Sequence, residues 1–213
     1  MKQIIPTLLS QDRKASIKKL KNYQNVFDWI QLDIIDGIFS PGKTLQLNDL
    51  KTIKELKKFK PDIHLMVDNP SLFLPDCRKI KAKRIIGHIE LMKNQADFIK
   101  KAKKICSRVG LAIDLPTKLN KLNLRLLAKI DVVLLMSVKA GQGGQGFSQL
   151  VIPKIKKLVK IKKERKLKFK IALDGGIKPG TIKVPYKAGA EIFYVGSFLE
   201  KEPKKALNNL LSL

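Results

Sequence analysis

The sequence predicts an α/β fold, a single-domain (β/α)8 TIM barrel with parallel strands and outer helices. Two observations favour it: eight short apolar runs are spread along 213 residues, and lysine-rich segments of helical period separate them. Short strands that alternate with amphipathic helices are typical of parallel sheets with crossover helices. Eight such units in just over 200 residues match the lower size range of a closed barrel. A doubly wound open sheet is the alternative architecture.

The strand-forming runs follow one another along the whole chain. They lie near residues 3–9, 28–35, 61–67, 83–89, 109–113, 131–137, 167–173 and 190–196. Between them, apolar residues at helical spacing predict helices that turn one side towards the core. These are Ile17 and Leu20 after an opening at Ser10-Gln11-Asp12, then Leu50, Ile53, Leu56 and Phe59, then Ile155, Leu158, Val159 and Ile161, and finally Ala206, Leu207, Leu210 and Leu211 in a helix over Pro203 to Leu213. No linker or composition break interrupts the pattern, so we expect one domain over residues 1–213.

The composition is strongly basic, with a formal net charge of +26 carried by 38 lysines and only six arginines. Such a charge raises the expectation of a polyanionic partner. Arginine, however, is the usual side chain for bidentate recognition of phosphates and bases, and the lysines are dispersed from Lys2 to Lys205. We therefore expect a solvated lysine-rich surface and no nucleic-acid partner.

The same composition excludes other classes of protein. Apolar residues make up 44% of the chain, which argues against intrinsic disorder. No run approaches the ~18 apolar residues of a membrane-spanning helix, and the apolar stretch in residues 1–9 is too short for a signal peptide. Cys77 and Cys106 form neither a disulfide framework nor a metal cluster. These features predict a cytoplasmic protein without a membrane partner.

Two acidic residues interrupt the predicted second strand, in WIQLDIIDG at residues 29–37. A carboxylate among apolar strand residues is costly to bury unless it is paired, hydrogen-bonded or bound to metal. We therefore assign a functional role to Asp33. Gln31 points to the same side of the strand, because side chains alternate with a period of two. For Asp36, which precedes Gly37, we favour a turn.

Further polar residues lie at predicted strand ends, where the active site of such a barrel is found. His64 lies near the end of the third strand, beside the strand of Asp33, and is expected to act as a ligand or in acid–base chemistry. His88 is interpreted as a residue near the rim that either supports the site residues from behind or is purely structural. Asp174 closes the seventh strand, and together with Asp33 it could remove a proton from one face of a carbon and return one to the other.

Glycine-rich turns follow the last three predicted strands. They comprise residues 141–145 (GQGGQ), 175–176 (GG) and 195–197 (VGS). Exposed backbone amides in such turns, with a helix N-terminus close by, bind phosphate well. Barrels of this class often hold phosphate in their last loops. The three turns together indicate a phosphorylated small molecule.

Motifs spread over the chain in strand order carry a family resemblance. They are PTLLS (6–10), LDIIDGIFSPGKT (32–44), HLMV (64–67), HIE (88–90), GLAI (110–113), LLMSVKAGQGGQ (134–145) with Phe147, PKI (153–155), LDGGI (173–177) and VGS (195–197). No single motif is decisive, but their order and strand placement are specific. By these motifs the chain resembles the ribulose-phosphate 3-epimerase family over essentially its whole length.

The resemblance implies interconversion of D-ribulose 5-phosphate and D-xylulose 5-phosphate. Asp33 matches the family's proton acceptor at C3 and Asp174 its proton donor, with a metal-stabilised ene-diolate between the two steps. The resemblance makes Asp33, His64 and Asp174 ligands of a divalent metal: zinc, iron or manganese. It places substrate contacts on Thr7, His64, Gly141, Gln142, Gly143, Gly144, Gly175, Gly176, Gly196 and Ser197. It also implies a small phosphorylated ketose as partner and a homo-oligomer, because family members are often oligomeric.

Departures from the family pattern keep other functions open. Gln31 occupies the position of a second metal-binding histidine, and its amide oxygen is a weaker ligand for zinc-like metals and suits harder cations. We therefore predict weak metal retention. Ile35, Ala140 and Gln142 also depart from the family pattern. They leave open a second function, that of an epimerase for another ketose phosphate such as a hexulose 6-phosphate. Gln31 and the +26 charge leave open a non-catalytic barrel that binds a phosphosugar or nucleic acid.

Overall fold

The structure is a computed structural model that describes residues 2–212, and it forms a closed barrel of eight parallel strands. Each strand pairs with the next along the chain, and the eighth pairs with the first. This confirms the (β/α)8 TIM barrel and rules out the doubly wound open sheet. The strands are β1 (Gln3–Leu8), β2 (Trp29–Ile35), β3 (Lys60–Met66), β4 (Arg84–His88), β5 (Arg108–Ile113), β6 (Val132–Met136), β7 (Lys170–Asp174) and β8 (Ile192–Val195).

Helices surround the barrel. They are α1 (Arg13–Tyr23), α2 (Leu47–Leu50), α3 (Leu74–Lys79), α4 (Gln95–Lys103), α5 (Ile152–Glu164), α6 (Pro179–Ala188) and α7 (Pro203–Leu211). The predicted start of the first helix is confirmed, since Asp12 caps α1 by accepting a hydrogen bond from the Ala15 amide at 2.6 Å. Within residues 2–212, no helix combines the length and the apolar character needed to cross a membrane.

Two helix predictions need correction. The second predicted helix is only the four-residue α2, followed by a 3-10 segment at Lys54–Lys58. Its apolar residues are nevertheless buried, because tight turns of either kind can point them at the barrel. In α7, Leu210 is buried but Leu211 is 45% exposed, so the prediction that Leu211 faces inward was wrong. Leu213, the predicted helix end, lies outside the described residues.

The barrel interior changes character along its axis. Apolar side chains from several strands, including Ile5 on β1, Leu134 on β6 and Ala172 on β7, pack together in one cluster. At the end where the strands begin, the Arg84 Nε donates a hydrogen bond to the Asp62 Oδ2 at 2.9 Å, and the guanidinium lies 4.9 Å from the centroid of the Trp29 ring. This buried ion pair fills the N-terminal end of the barrel. The C-terminal end is left for a site, as expected for this architecture.

Candidate active site

Three side chains that the sequence singled out meet inside the C-terminal end of the barrel. Asp33 and His64 are direct partners in the register of β2 and β3, and Asp174 ends β7. The His64 Nδ1 lies 2.9 Å from the Asp33 Oδ1 and 3.6 Å from the Asp174 Oδ2. One ligand atom from each residue lies within 4.8 Å of the other two. Two carboxylates and one imidazole thus converge on a single point.

Asp33 is buried and the Asp174 side chain is only 15% exposed, and this burial shifts the pKa values of both carboxyl groups. Burial raises the pKa of Asp33 to about 8, with a further contribution from the negative charge of Asp62. Burial and the charge of Asp33 together raise the pKa of Asp174 to about 7. Burial lowers the pKa of His64, although nearby carboxylates oppose the shift. Near neutral pH the pair can therefore both hold a proton and accept one.

Gln31 lies beside this cluster, on the same interior side of β2 as Asp33. Its amide is close enough to Asp174 to lower the pKa of that carboxyl. Even so, neither its nitrogen nor its oxygen meets a partner with hydrogen-bond geometry within residues 2–212. An unsatisfied buried amide costs about 1–3 kcal/mol. Its oxygen is therefore available to coordinate a metal. Together with two carboxylates and an imidazole it completes a set of ligands that suits a divalent cation.

A second layer of polar residues lies behind His64. The His64 Nε2 lies 3.0 Å from the His88 Nε2, and the His88 Nδ1 lies 2.9 Å from the Glu90 Oε2. Both imidazoles are fully buried. Of the two roles expected for His88, this contact with His64 agrees with support of a site residue, and its complete burial does not fit a place at the rim. The spacing of His88 and Glu90 in the sequence gave no signal for this contact, which depends on the stagger of neighbouring strands.

The glycine-rich turns form one wall of an open cleft of about 510 Å³ above the carboxylates. The predicted residues that line the cleft are Thr7, Asp33, Gly141, Gln142, Gly143, Gly144, Asp174, Gly175, Gly176, Gly196 and Ser197. Gln31 and His64 are fully buried and do not line it. Lys19 and Lys178 do line it. Sequence reasoning did not single them out, because nothing distinguishes them among 38 lysines.

Backbone geometry explains why glycines form this wall. Gly141 has a φ of +91°, and a Cβ there would collide with the Ser40 side chain. Gly176 has a φ of +63°, and a Cβ there would lie 2.5 Å from the Phe147 backbone nitrogen. Positive φ and close approach favour glycine at both positions. The predicted turn at Asp36 is also confirmed, since its Oδ1 accepts hydrogen bonds from the Ile38 and Phe39 amides.

Comparison with known proteins identifies the family of the chain and agrees with the fold. The sequence profile described as the ribulose-phosphate 3 epimerase family matches residues 3–199. The chain belongs to the ribulose-phosphate 3-epimerase family. The chain is thus an enzyme of the isomerase class, an epimerase acting on carbohydrates.

Several proteins named ribulose-phosphate 3-epimerase are similar to the chain. The one from Mycobacterium leprae is 31% identical over 170 residues, which cover 80% of this chain and 75% of that protein. The one from Bacillus subtilis is 28% identical over 214 residues, which cover 99% of this chain and 98% of that protein. The similarity thus extends over nearly the whole barrel.

Solved structures of other barrels share the fold. The 3-keto-L-gulonate-6-phosphate decarboxylase of Vibrio cholerae superposes with a TM-score of 0.72 at 12% identity, covering 99% of this chain and 96% of that chain. A mutant tryptophan synthase α-subunit of Pyrococcus furiosus gives a TM-score of 0.71 at 16% identity, covering 99% and 98%. At such low identity these matches support the architecture alone.

Proposed function

We propose that this enzyme interconverts D-ribulose 5-phosphate and D-xylulose 5-phosphate, with Asp33 and Asp174 moving the proton at C3. The observation that carries the proposal is the pair of buried carboxyl groups, both in contact with His64, at the floor of a glycine-walled cleft. The names of the relatives support the substrate, because their sequences are similar to this chain over most of its length.

In this proposal the two carboxyl groups work from opposite strands of the barrel. Asp33 on β2, as the carboxylate, removes the C3 proton from one face of the sugar and leaves an ene-diolate. Asp174 on β7, as the carboxylic acid, returns a proton to the other face. Both raised pKa values lie near the working pH, where general acid–base catalysis works best. Because the reaction is reversible, each carboxyl group must act as the base in one direction and as the acid in the other.

The substrate would be held at its phosphate end by the glycine turns. Residues 141–144, 175–176 and 196–197 lie on one side of the cleft, where backbone amides can bind the phosphate oxygens. The Lys19 ammonium also lies at the cleft but is paired with Glu200 at 2.7 Å. The hydroxyl of Thr7 on β1 lies next to Gly196, since a Cβ on Gly196 would be 3.2 Å from the Thr7 Oγ1. We assign Thr7 a contact with the sugar.

Asp33, His64 and Asp174 would hold the divalent metal, with the Gln31 oxygen as a weaker fourth ligand. A bound cation would act as a Lewis acid on the negative charge that develops on the sugar oxygens. An oxygen in place of an imidazole weakens the hold on zinc-like metals and favours harder cations such as manganese. We therefore expect purified protein to lose zinc readily. Stoichiometric, tightly held zinc after purification would contradict this expectation.

The proposal is tested by an assay of ribulose 5-phosphate turnover with and without added zinc or manganese. Asp33→Asn and Asp174→Asn should each abolish turnover, and near-normal kcat in either variant would contradict the assigned roles. Turnover at ordinary rates by the unmodified protein would also eliminate a non-catalytic phosphosugar- or nucleic-acid-binding barrel.

Choice among ketose phosphates is tested by comparing kcat/KM across a small panel that includes hexulose 6-phosphates. Ile35 and Ala140 pack in an apolar cluster with Met66, Met136 and Val138 at the mouth of the barrel. Ile35 and Ala140 depart from the family pattern, and the panel tests whether these departures change the choice of substrate. A clear preference for ribulose 5-phosphate is expected, and a preference for a hexulose phosphate would replace the proposed substrate.

A further inference from the structure

A continuous row of hydrogen-bonding groups runs from the cluster of Asp33, His64 and Asp174 into the wall of the barrel. It passes from the His64 Nε2 to the His88 Nε2 at 3.0 Å, and from the His88 Nδ1 to the Glu90 Oε2 at 2.9 Å. The planes of the two imidazole rings are inclined by only 26°, with centroids 5.0 Å apart, and both rings are fully buried. Each ring nitrogen in the row therefore has one defined neighbour.

Glu90 is held in place at the far end of the row. Its other oxygen, Oε1, accepts a hydrogen bond from the Asp114 amide at 2.8 Å. The Asp114 Oδ1 in turn accepts hydrogen bonds from the Leu115 and Ala140 amides at 2.7 Å and 2.8 Å. The Asp114 amide thus holds one oxygen of Glu90 and leaves the other directed at His88. This other oxygen presents an acceptor to the His88 Nδ1.

The direction of hydrogen bonding then follows along the row. An acceptor at Glu90 requires the proton of neutral His88 on Nδ1, which leaves a lone pair on the His88 Nε2. That lone pair requires a proton on the His64 Nε2. Neutral His64 consequently has its lone pair on Nδ1, the atom that faces Asp33 and Asp174. In the metal-free protein this lone pair accepts a hydrogen bond from the protonated Asp33 carboxyl across 2.9 Å.

We propose that His88 and Glu90 are positioning residues that set the tautomer and ring orientation of His64, so that its Nδ1 is ready to bind metal. The inference rests on the metal site of the proposed function. Metal-binding histidines commonly donate their second N–H to a carboxylate, a carbonyl or water. Here a second histidine is interposed, so the carboxylate acts on the ligand through two imidazoles.

The test uses Glu90→Gln, which changes one oxygen to an amide nitrogen and keeps the shape. The Asp114 amide and the His88 Nδ1–H bond to different oxygens of Glu90, and in the glutamine one of these two positions becomes an NH₂ donor. We expect a changed tautomer population at both histidines and a loss of about 10–100-fold in manganese and zinc affinity. Glu90→Asp keeps both acceptors and should restore part of the affinity.

Tautomers are read from ¹H–¹⁵N spectra of metal-free protein labelled on histidine, at neutral pH. The chain contains only two histidines, so every imidazole signal belongs to the row. Metal affinity is measured by calorimetry with each metal alone. The matched control is Glu191→Gln, because the Glu191 Oε2 accepts a hydrogen bond from Lys162 at 2.6 Å near the start of β8, away from the site. It should leave tautomers and affinity unchanged.

Two results would overturn the proposal. One is a spectrum of the metal-free wild-type protein that shows His64 protonated on Nδ1. This measurement does not depend on the folding of any variant. The other is a folded Glu90→Gln protein with wild-type tautomers and wild-type metal affinity. Failure of the proposed function would look different, since the wild-type protein would then neither bind metal nor turn over ribulose 5-phosphate. In that case the metal-free spectrum would still decide the role of His88 and Glu90.

Discussion

The burial of Asp33 and Asp174 side by side should make the stability of the metal-free protein depend on pH. Burial raises the pKa of Asp33 to about 8 and contributes to a pKa of about 7 for Asp174, whereas an unfolded aspartate titrates near ~3.9. Between pH 5 and pH 7 the folded protein therefore keeps protons that the unfolded chain has released. A folded state that binds more protons than the unfolded state loses stability as the pH rises.

The size of the effect follows from the shift in pKa. A group that stays protonated only in the folded state lowers the free energy of unfolding by about 1.4 kcal/mol per pH unit. For Asp33 this amounts to about 3 kcal/mol between pH 5 and pH 7. Asp33→Asn replaces the titrating group with a neutral amide of the same shape. Relative to the wild type, the variant should therefore gain about 3 kcal/mol of stability over that range.

The assay is urea unfolding of the metal-free proteins in the presence of a chelator, followed by circular dichroism at several pH values. Comparing each variant with the wild type cancels the titration of groups that do not sense the charge of the substituted residue. Asp174 does sense the charge of Asp33, so the change in its titration is part of the difference measured for Asp33→Asn. Asp28→Asn is the matched control, because the Asp28 side chain is 79% exposed, and its difference from the wild type should stay constant. A constant difference for Asp33→Asn as well would refute the reasoning.

Three further outcomes are expected. Asp174→Asn should lower kcat by roughly 10²–10⁴-fold or more in a coupled epimerase assay, and a normal kcat would remove Asp174 from the mechanism. Gln31→His should raise zinc affinity measured by calorimetry, and an unchanged affinity would mean that residue 31 is not a ligand. Gly141→Ala should raise KM and lower the unfolding temperature, because its φ is +91° and a Cβ would meet the Ser40 side chain; unchanged values would mean that this turn is not needed in its observed shape.

Periodicity was sufficient to predict the barrel, because each of the eight apolar runs became a strand. The crossovers were less predictable. Leu56 and Phe59 are buried as expected, yet the chain reaches them through a 3-10 segment after the short α2. The link between β5 and β6 likewise contains 3-10 segments at Leu119–Lys121 and Leu124–Lys129. Apolar residues three or four apart are buried by either kind of turn, so spacing alone does not distinguish them.

The chemical residues of the site were predictable where a polar side chain interrupts an apolar strand. Asp33, His64 and Asp174 were found in this way, and the structure brings them together. The contact between His64 and His88 was not predictable, because it depends on how far neighbouring strands are staggered around the barrel. The lack of hydrogen-bond partners for the Gln31 amide within residues 2–212 was also not predictable from the sequence, because it depends on what surrounds the side chain in three dimensions.

The most direct test of the central claim is epimerisation of D-ribulose 5-phosphate by the metal-supplemented enzyme in heavy water. Removal and return of the C3 proton by Asp33 and Asp174 predicts D-xylulose 5-phosphate that carries deuterium at C3, because carboxyl protons exchange with solvent. Asp33→Asn should form no product. Product that keeps the original C3 hydrogen, or turnover that survives in Asp33→Asn, would contradict the account.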